Sequence, residues 1–292
     1  MSKPHVALLG LGIMGTGMAG RLLSAGFPLT IYNRNQAKAE AIAGAGAMLA
    51  KTPREAAGNA DVVISMVSDD VASREVWLGE NGALSGARAG SHLIESSTLT
   101  VKWVMELAAA ATQKSCAFLD APVTGSKPQA AAGQLLFLVG GSADALATVR
   151  PVLAVMGRDA IHLGPTGSGA RLKLINNFLC GVQAASLAEA MSMIDAGGLD
   201  PEKALAVLTA GAPGSPLIKT VSARVAARDT DRNFILRLMA KDLGYARDEA
   251  QRNGFTSEMA SAALRVFTGA IEKGHGDEDF SAVVNSLRPN RG

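Results

Sequence analysis

The chain has 292 residues, 48% of them apolar and 18% charged, which suits one or two globular domains with ample core and excludes a disordered chain. A net charge of +2, spread along the chain, excludes a strongly basic nucleic-acid or membrane surface, and 4% aromatic content argues against a stacking platform for single strands. Cys116 and Cys180 are the only cysteines, so neither a disulfide framework nor a Cys/His metal site is expected.

The N-terminal run from His5 to Leu9 is apolar and strand-like, and glycines break it at once, unlike a secretory signal. A reduced, cytoplasmic setting is therefore expected. Gly10-Leu11-Gly12-Ile13-Met14-Gly15 comes next, then a helical stretch from Met18 to Ala25 closed by Gly26, then a second strand from Leu29 to Tyr32. Strand, glycine turn, helix and strand within about thirty residues is the context that a dinucleotide fingerprint requires. Gly10 permits the tight turn, Gly12 lets the backbone approach a pyrophosphate, and Gly15 permits close packing. The helix N-terminus then offers N–H groups and a positive dipole end to the phosphates.

An NAD site usually places an acid at the end of the second strand. Here Tyr32-Asn33-Arg34-Asn35 has none. Asn33 can hydrogen-bond a ribose, and the planar fork of Arg34 can pair with a 2′-phosphate. NADP, as NADPH in the reducing direction, is the expected cofactor.

Alternation continues. Helices are expected at Ala37–Ala43, Pro53–Ala57 after a Thr52 cap, Val71–Trp77, Val101–Thr112 and Ala143–Met156. Strands are expected at Val62–Val67, His92–Glu95, Cys116–Asp120, Leu135–Val139 and Ile161–Leu163. Ligands in open α/β sheets sit at the carboxyl ends of strands. The ends here are Gly10–Gly15, Ser68–Asp69, Thr98 and Thr124–Ser126. Asp69 and Asp70 suit a helix N-cap better than an acid/base pair. His5, His92, His162 and His275 are scattered and suit structural roles.

Gly164 to Gly169 interrupts the chain. A long proline-free helix follows, Gly169–Met193, rich in Ala and Leu. Arg171, Lys173, Asn176, Asn177, Gln183 and Glu189 exclude it as a membrane span. Lys173 and Asn177, four residues apart, share one face. An ammonium and a carboxamide in so apolar a helix point to chemistry, although a solvated stripe is the bland alternative. Cys180, Met191 and Met193 suit packing. Pro201–Thr209, Leu217–Arg228, Phe234–Asn253 and Ser257–Glu272 also read as helices. The expected architecture is an N-terminal α/β Rossmann domain with a mostly parallel, doubly wound sheet (residues 1–165), joined through the long helix to an all-α domain (166–292). Leu174, Phe178, Leu179, Val182 and Leu187 lie on several helix faces, which predicts a homodimer or homotetramer built through the helical domains.

Four stretches in order resemble the β-hydroxyacid dehydrogenase family: GLGIMGTGMAGRL at Gly10–Leu22, DAPVTGSKPQAAAGQL at Asp120–Leu135, KLINN at Lys173–Asn177 and FILRLMAKDLGYA at Phe234–Ala246. That family includes 3-hydroxyisobutyrate dehydrogenases, tartronate semialdehyde reductases and glyoxylate/succinic semialdehyde reductases. The resemblance implies hydride transfer between NADP(H) and a small carboxylate-bearing hydroxyacid, semialdehyde or keto acid such as glyoxylate. It implies Lys173 as the catalytic general acid/base, with Asn177, Thr124, Gly125 and Ser126 holding the substrate. It implies cofactor contacts from Gly10, Leu11, Gly12, Ile13, Met14, Gly15, Asn33, Arg34, Thr98 and Lys241. The family loop commonly reads Ser-Gly-Gly where this chain has Thr124-Gly125-Ser126. Two alternatives belong to other classes: an NADP-binding module without catalysis, and an imine reductase, whose known members lack the lysine. No metal, nucleic acid or membrane partner is expected.

Overall fold

The computed structural model describes residues 3–287. In chain order the first part comprises strand β1 (Val6–Leu9), helix α1 (Ile13–Ser24), β2 (Leu29–Tyr32), α2 (Gln36–Ala43), β3 (Met48–Leu49), α3 (Pro53–Ala57), β4 (Val62–Ser65), α4 (Asp70–Leu78), α5 (Ala83–Gly86), β5 (His92–Glu95) and α6 (Val101–Gln113). It continues with β6 (Ala117–Asp120), β7 (Val123–Thr124), α7 (Lys127–Ala132), β8 (Leu135–Gly141), α8 (Ala143–Leu153) and β9 (Gly157–Gly164). The remainder is helical: α9 (Ser168–Ala196), α10 (Pro201–Ala210), α11 (Pro216–Ala226), α12 (Leu236–Arg252), α13 (Glu258–Glu272) and α14 (Val283–Ser286), with 3₁₀ turns at His275–Asp277 and Phe280–Ala282.

Among the described residues nine strands make one sheet in the order β3-β2-β1-β4-β5-β6-β8-β7, with β9 paired to β8. From β3 to β6 the pairing is parallel, with Leu8 beside both Ile31 and Ile64. β8 runs antiparallel to β6 and β7 and parallel to β9. β1, wholly apolar, and β4, apolar up to Ser65, are buried throughout, as strands covered on both faces must be. The order 3-2-1-4-5-6 is that of a Rossmann sheet, and it reverses direction between β1 and β4. Met18, Ala19 and Leu22 of α1 and Leu146, Val149 and Val152 of α8 pack with the strands in one apolar core. Truncating one of its large residues to Ala should cost about 2–5 kcal/mol.

Several departures from the expected elements have local causes. α8 stops at Leu153 rather than Met156, because Met156 is buried and its carbonyl accepts the N–H of Leu135 in β8. β9 is longer than Ile161–Leu163. α7 lies between Ser126 and Leu135, where no element was expected. Ser126 and Gln129 form a capping box there, and Gly133 ends the helix at φ 68°. β3 and β7 have two residues each and leave too little pattern to be read.

The chain forms two compact units that divide after Lys173, inside α9 and later than the expected 165/166 boundary. The first turn of α9 belongs to the sheet unit. A Cβ on Gly169 would stand 2.1 Å from the carbonyl oxygen of Leu138. In the helical unit a second core gathers Leu187, Met191, Leu236, Met239, Leu243 and Phe267. A Cβ on Gly181 would meet the side chain of Leu243 at 2.8 Å, so this mid-helix glycine admits close approach of α12 to α9. Among the described residues no helix is long and apolar enough to cross a membrane, and none of their His, Cys, Asp and Glu side chains group to hold a metal.

Candidate active site

The glycine turn follows β1 at the point where the strand order reverses. Gly10 has φ +101°, and a Cβ there would strike the carbonyl oxygen of Met66 at 2.3 Å. A Cβ on Gly15 would strike Gly10 O at 2.0 Å, so Gly15 closes helix onto turn rather than onto strand. Gly12 differs: nothing lies within 4 Å of its virtual Cβ. The open face is therefore at the one glycine expected to meet a pyrophosphate. Gly12 stands as the N-cap of α1 without a side-chain cap, and the first turn holds no acid, which leaves the positive helix end available to an anion. Leu11 is buried, whereas Ile13 and Met14 are partly buried. The residues present fit a dinucleotide.

Asn33, at the end of β2, has a structural task as well. Its Oδ1 accepts the N–H of Leu11 at 2.9 Å, and its Nδ2 donates to the carbonyl of Asn35 at 2.7 Å. The amide thus ties the second strand to the glycine turn. Arg34 beside it is exposed. Thr98 is partly buried between buried Ser97 and Leu99, in the loop after β5.

The loop after β6 is divided by local structure. Thr124 ends the short strand β7 and pairs with Leu136. Gly125 has φ +112°, which favours glycine. Ser126 caps α7, and both its N–H and its hydroxyl donate to Gln129 Oε1 at 2.9 Å. Those two donors are engaged within the loop.

Asp120 precedes this loop and has 0% exposure. Its Oδ1 accepts the N–H of Gly167 and its Oδ2 that of Ala170, each at 2.8 Å. The carboxylate so fixes the start of α9, three residues before Lys173. Burial raises its pKa, and the backbone N–H donors oppose that rise. No local pattern in the sequence marks Asp120 for this role, since its partners lie 47 and 50 residues away.

Lys173 is buried, at 9% exposure, although it lies on a helix whose neighbours Arg171 and Leu172 are exposed. Asn177, one turn farther on, is buried at 4%. Its Nδ2 donates to Asp242 Oδ2 at 2.5 Å, and its Oδ1 accepts from Asn176 Nδ2 at 2.9 Å. A carboxylate can only accept, which orients the Asn177 amide. Asp242 has 1% exposure, and its other oxygen pairs with Lys241 Nζ at 2.9 Å. Lys241 Nζ also lies 4.7 Å from the centre of the Tyr245 ring. Asp242 was legible only as part of the Lys-Asp-Leu element, whereas its role as partner to Asn177 was not.

The remaining polar residues have local tasks. His5 Nε2 and His162 Nε2 bond Thr30 Oγ1 and the Gly141 carbonyl, each at 2.8 Å. Asp69 caps α4, accepting the N–H of Ala72 at 2.8 Å. Cys116 is buried, and burial pushes its thiol pKa up. Met191 packs in the core, but Met193 is 73% exposed and packs little within the chain, contrary to its expected packing role.

Residues 5–164 match the family described as the NAD binding domain of 6-phosphogluconate dehydrogenase. Residues 167–287 match that described as NAD-binding of NADP-dependent 3-hydroxyisobutyrate dehydrogenase. An NAD-dependent L-serine dehydrogenase of Pseudomonas aeruginosa is 36% identical over 99% of each chain. The chloroplastic glyoxylate/succinic semialdehyde reductase 2 of Arabidopsis thaliana is 32% identical over 97% of this chain and 79% of its own. The solved 3-hydroxyisobutyrate dehydrogenase of Mycobacterium tuberculosis, with L-serine, superposes with a TM-score of 0.88 at 33% identity, covering 98% of this chain and 100% of its own. With a Rossmann unit, an open glycine turn and a buried lysine on the joining helix, the chain belongs to the NAD(P)-dependent β-hydroxyacid dehydrogenase family of oxidoreductases.

Proposed function

We propose that this protein is an NADP(H)-dependent semialdehyde reductase or β-hydroxyacid dehydrogenase, with Lys173 as general acid/base. The observation that carries the reading is the burial of the Lys173 ammonium stem one helical turn from buried Asn177. Burying a lysine is costly, and a module that only bound nucleotide would gain nothing from it.

Bound NADPH would supply the hydride for a carbonyl carbon. Gly10 to Gly15 would hold its pyrophosphate, Asn33 and Arg34 its adenosine ribose, and Thr98 and Lys241 would complete the set. During reduction negative charge grows on the carbonyl oxygen. The Lys173 ammonium stabilises that charge and donates the proton. During oxidation the neutral amine takes the hydroxyl proton. Asn177, oriented by Asp242, directs its amide to the substrate. The Thr124 hydroxyl and the Gly125 N–H offer donors to the substrate carboxylate. Ser126 contributes by holding the loop, because Gln129 occupies its donors.

The NADP preference rests on Arg34 and on the absence of an acid between Ile31 and Asn35. We assign the pyrophosphate and adenosine ribose of the cofactor to the sheet unit and self-association to the helical unit, giving a homodimer or homotetramer. The test is NADPH oxidation across glyoxylate, succinic semialdehyde, tartronate semialdehyde and methylmalonate semialdehyde, with a cyclic imine added. Turnover of a semialdehyde or keto acid is expected. Tight NADPH binding without turnover of any panel member would point to a binding module, and turnover of the imine alone to an imine reductase.

A further inference from the structure

Both tryptophans of the chain belong to one buried network centred on Glu95. Glu95 ends β5 with 0% exposure. Ser65 Oγ and Ser73 Oγ each donate to its Oε2 at 2.6 Å, and Trp77 Nε1 donates to the same oxygen at 2.9 Å. The backbone N–H of Ser97 donates to Oε1 at 2.8 Å. Ser73 Oγ accepts from Trp103 Nε1 at 2.9 Å, so its own proton is left to face the carboxylate. Each of these partners is neutral and donates, which is the only arrangement that satisfies a carboxylate without a cation.

Filling this site needs no charge, since an apolar residue would fill it without desolvation. The carboxylate instead reaches the loops at the carboxyl ends of the sheet. Ser97, held at its N–H by Glu95, accepts the N–H of Val67 on its own Oγ at 2.8 Å. Val67 lies in the loop after β4, and its Cγ1 stands 3.0 Å from where a Cβ of Gly10 would be. Farther out, Asp70 accepts both the N–H and the hydroxyl of Thr100, at 2.9 and 2.6 Å, closing the same two loops. The ends of β1, β4 and β5 thus form one packed edge with Glu95 beneath it. Dinucleotides bind against that edge.

We propose that Glu95 is a positioning residue for the nicotinamide nucleotide: acting through Ser97 and Val67, it holds the loops after β4 and β5 against the glycine turn. It touches no reacting atom. The proposal rests on nucleotide binding at the glycine turn and is independent of both the NADP preference and the role of Lys173.

The test compares wild type, Glu95→Gln, Glu95→Asp and Ser97→Ala as full chains, by calorimetric titration with NADPH and NADH and by thermal unfolding. Gln turns one carboxylate oxygen into a donor that faces other donors. Its nucleotide affinity should fall by about 10-fold or more. Asp, which keeps the charge on a shorter stem, should recover part of the loss, a rescue that simple loss of volume would not produce. Ser97→Ala removes only the acceptor for Val67, and should weaken binding by roughly 3- to 10-fold with a near wild-type melting temperature. Tryptophan emission of unliganded Glu95→Gln should differ from wild type, since the charge that Trp77 Nε1 faces at 2.9 Å is removed. A folded Glu95→Gln that binds nucleotide within twofold of wild type overturns the proposal. If Glu95→Gln does not fold, the affinity of Ser97→Ala decides by the same criterion. A wild type that binds neither nucleotide would instead overturn the cofactor reading, and this proposal with it.

Discussion

Asn177 on α9 donates its amide to Asp242 on α12 at 2.5 Å, joining two side chains 65 residues apart in the core of the helical unit. Both are buried, so each would be left with an unmet hydrogen bond without the other. Asp242→Ala should destabilise the protein by about 1.5–3 kcal/mol, the range for a hydrogen bond to a charged group. It should also raise the substrate KM, because the Asn177 amide is then free to turn. Denaturant unfolding with steady-state kinetics checks both. A variant with wild-type KM would sever Asp242 from the substrate site.

Lys173→Met keeps the length and apolar stem of the side chain and deletes the ammonium. The fold and NADPH binding should persist while kcat falls by at least ~10²-fold, the contribution of a general acid. Near wild-type turnover in the variant would show that another group moves the proton.

Arg34 is exposed at the end of β2, where the phosphate of NADP and the bare hydroxyl of NAD are told apart. A charge-assisted pair with the phosphate is worth about 1.5–3 kcal/mol, or a preference for NADP of roughly 10- to 150-fold. Salt will erode part of it at an exposed site. Arg34→Asp should invert the preference, adding repulsion to lost attraction. The measurement is kcat/KM with NADPH and NADH at one ionic strength. Equal efficiencies in the wild type would sink the NADP reading.

Asp120 should leave a signature in stability against pH. Burial raises its folded pKa above the ordinary value of 3.8. The folded state therefore binds the proton more tightly than the unfolded chain does. The stabilisation linked to that proton is complete below 3.8 and is lost as the pH rises through the folded pKa. Asp120→Asn has no such titration. The stability difference between wild type and variant should therefore move in the variant's favour as the pH rises from about 4 toward neutrality. Denaturant unfolding at a series of pH values reads this directly. A difference that moves the other way would mean that the N–H groups of Gly167 and Ala170 outweigh burial.

The assembly prediction follows from apolar side chains that the helical unit leaves uncovered. Ile175, Leu179 and Met193 share one face of α9 and are 50, 52 and 73% exposed. Val207 on α10 is 72% exposed. We expect light scattering at micromolar concentration to give a dimer or tetramer, and Leu179→Glu to shift it toward monomer. A monomeric wild type would refute the prediction.

The sequence by itself determined the Rossmann half, because unbroken apolar strands, a glycine turn and amphipathic helices are local patterns with fixed periods. Gly10, Gly12 and Gly15 were legible for the same reason: their spacing after a strand is a local pattern, with Gly10 and Gly15 meeting close backbone oxygens and Gly12 leaving the turn open. The pairing of Lys173 with Asn177 on one face followed from helix geometry alone. Tertiary structure decided what lay far apart in the chain. The partners of Glu95, Asp120 and Asp242 are brought together by sheet order and helix packing, and an acidic residue looks the same in sequence whether it is solvated or buried. It likewise decided that Ser126 spends its donors on Gln129 and that the first turn of α9 belongs to the sheet unit. A buried carboxylate is defined by the donors around it, and only the folded chain supplies them.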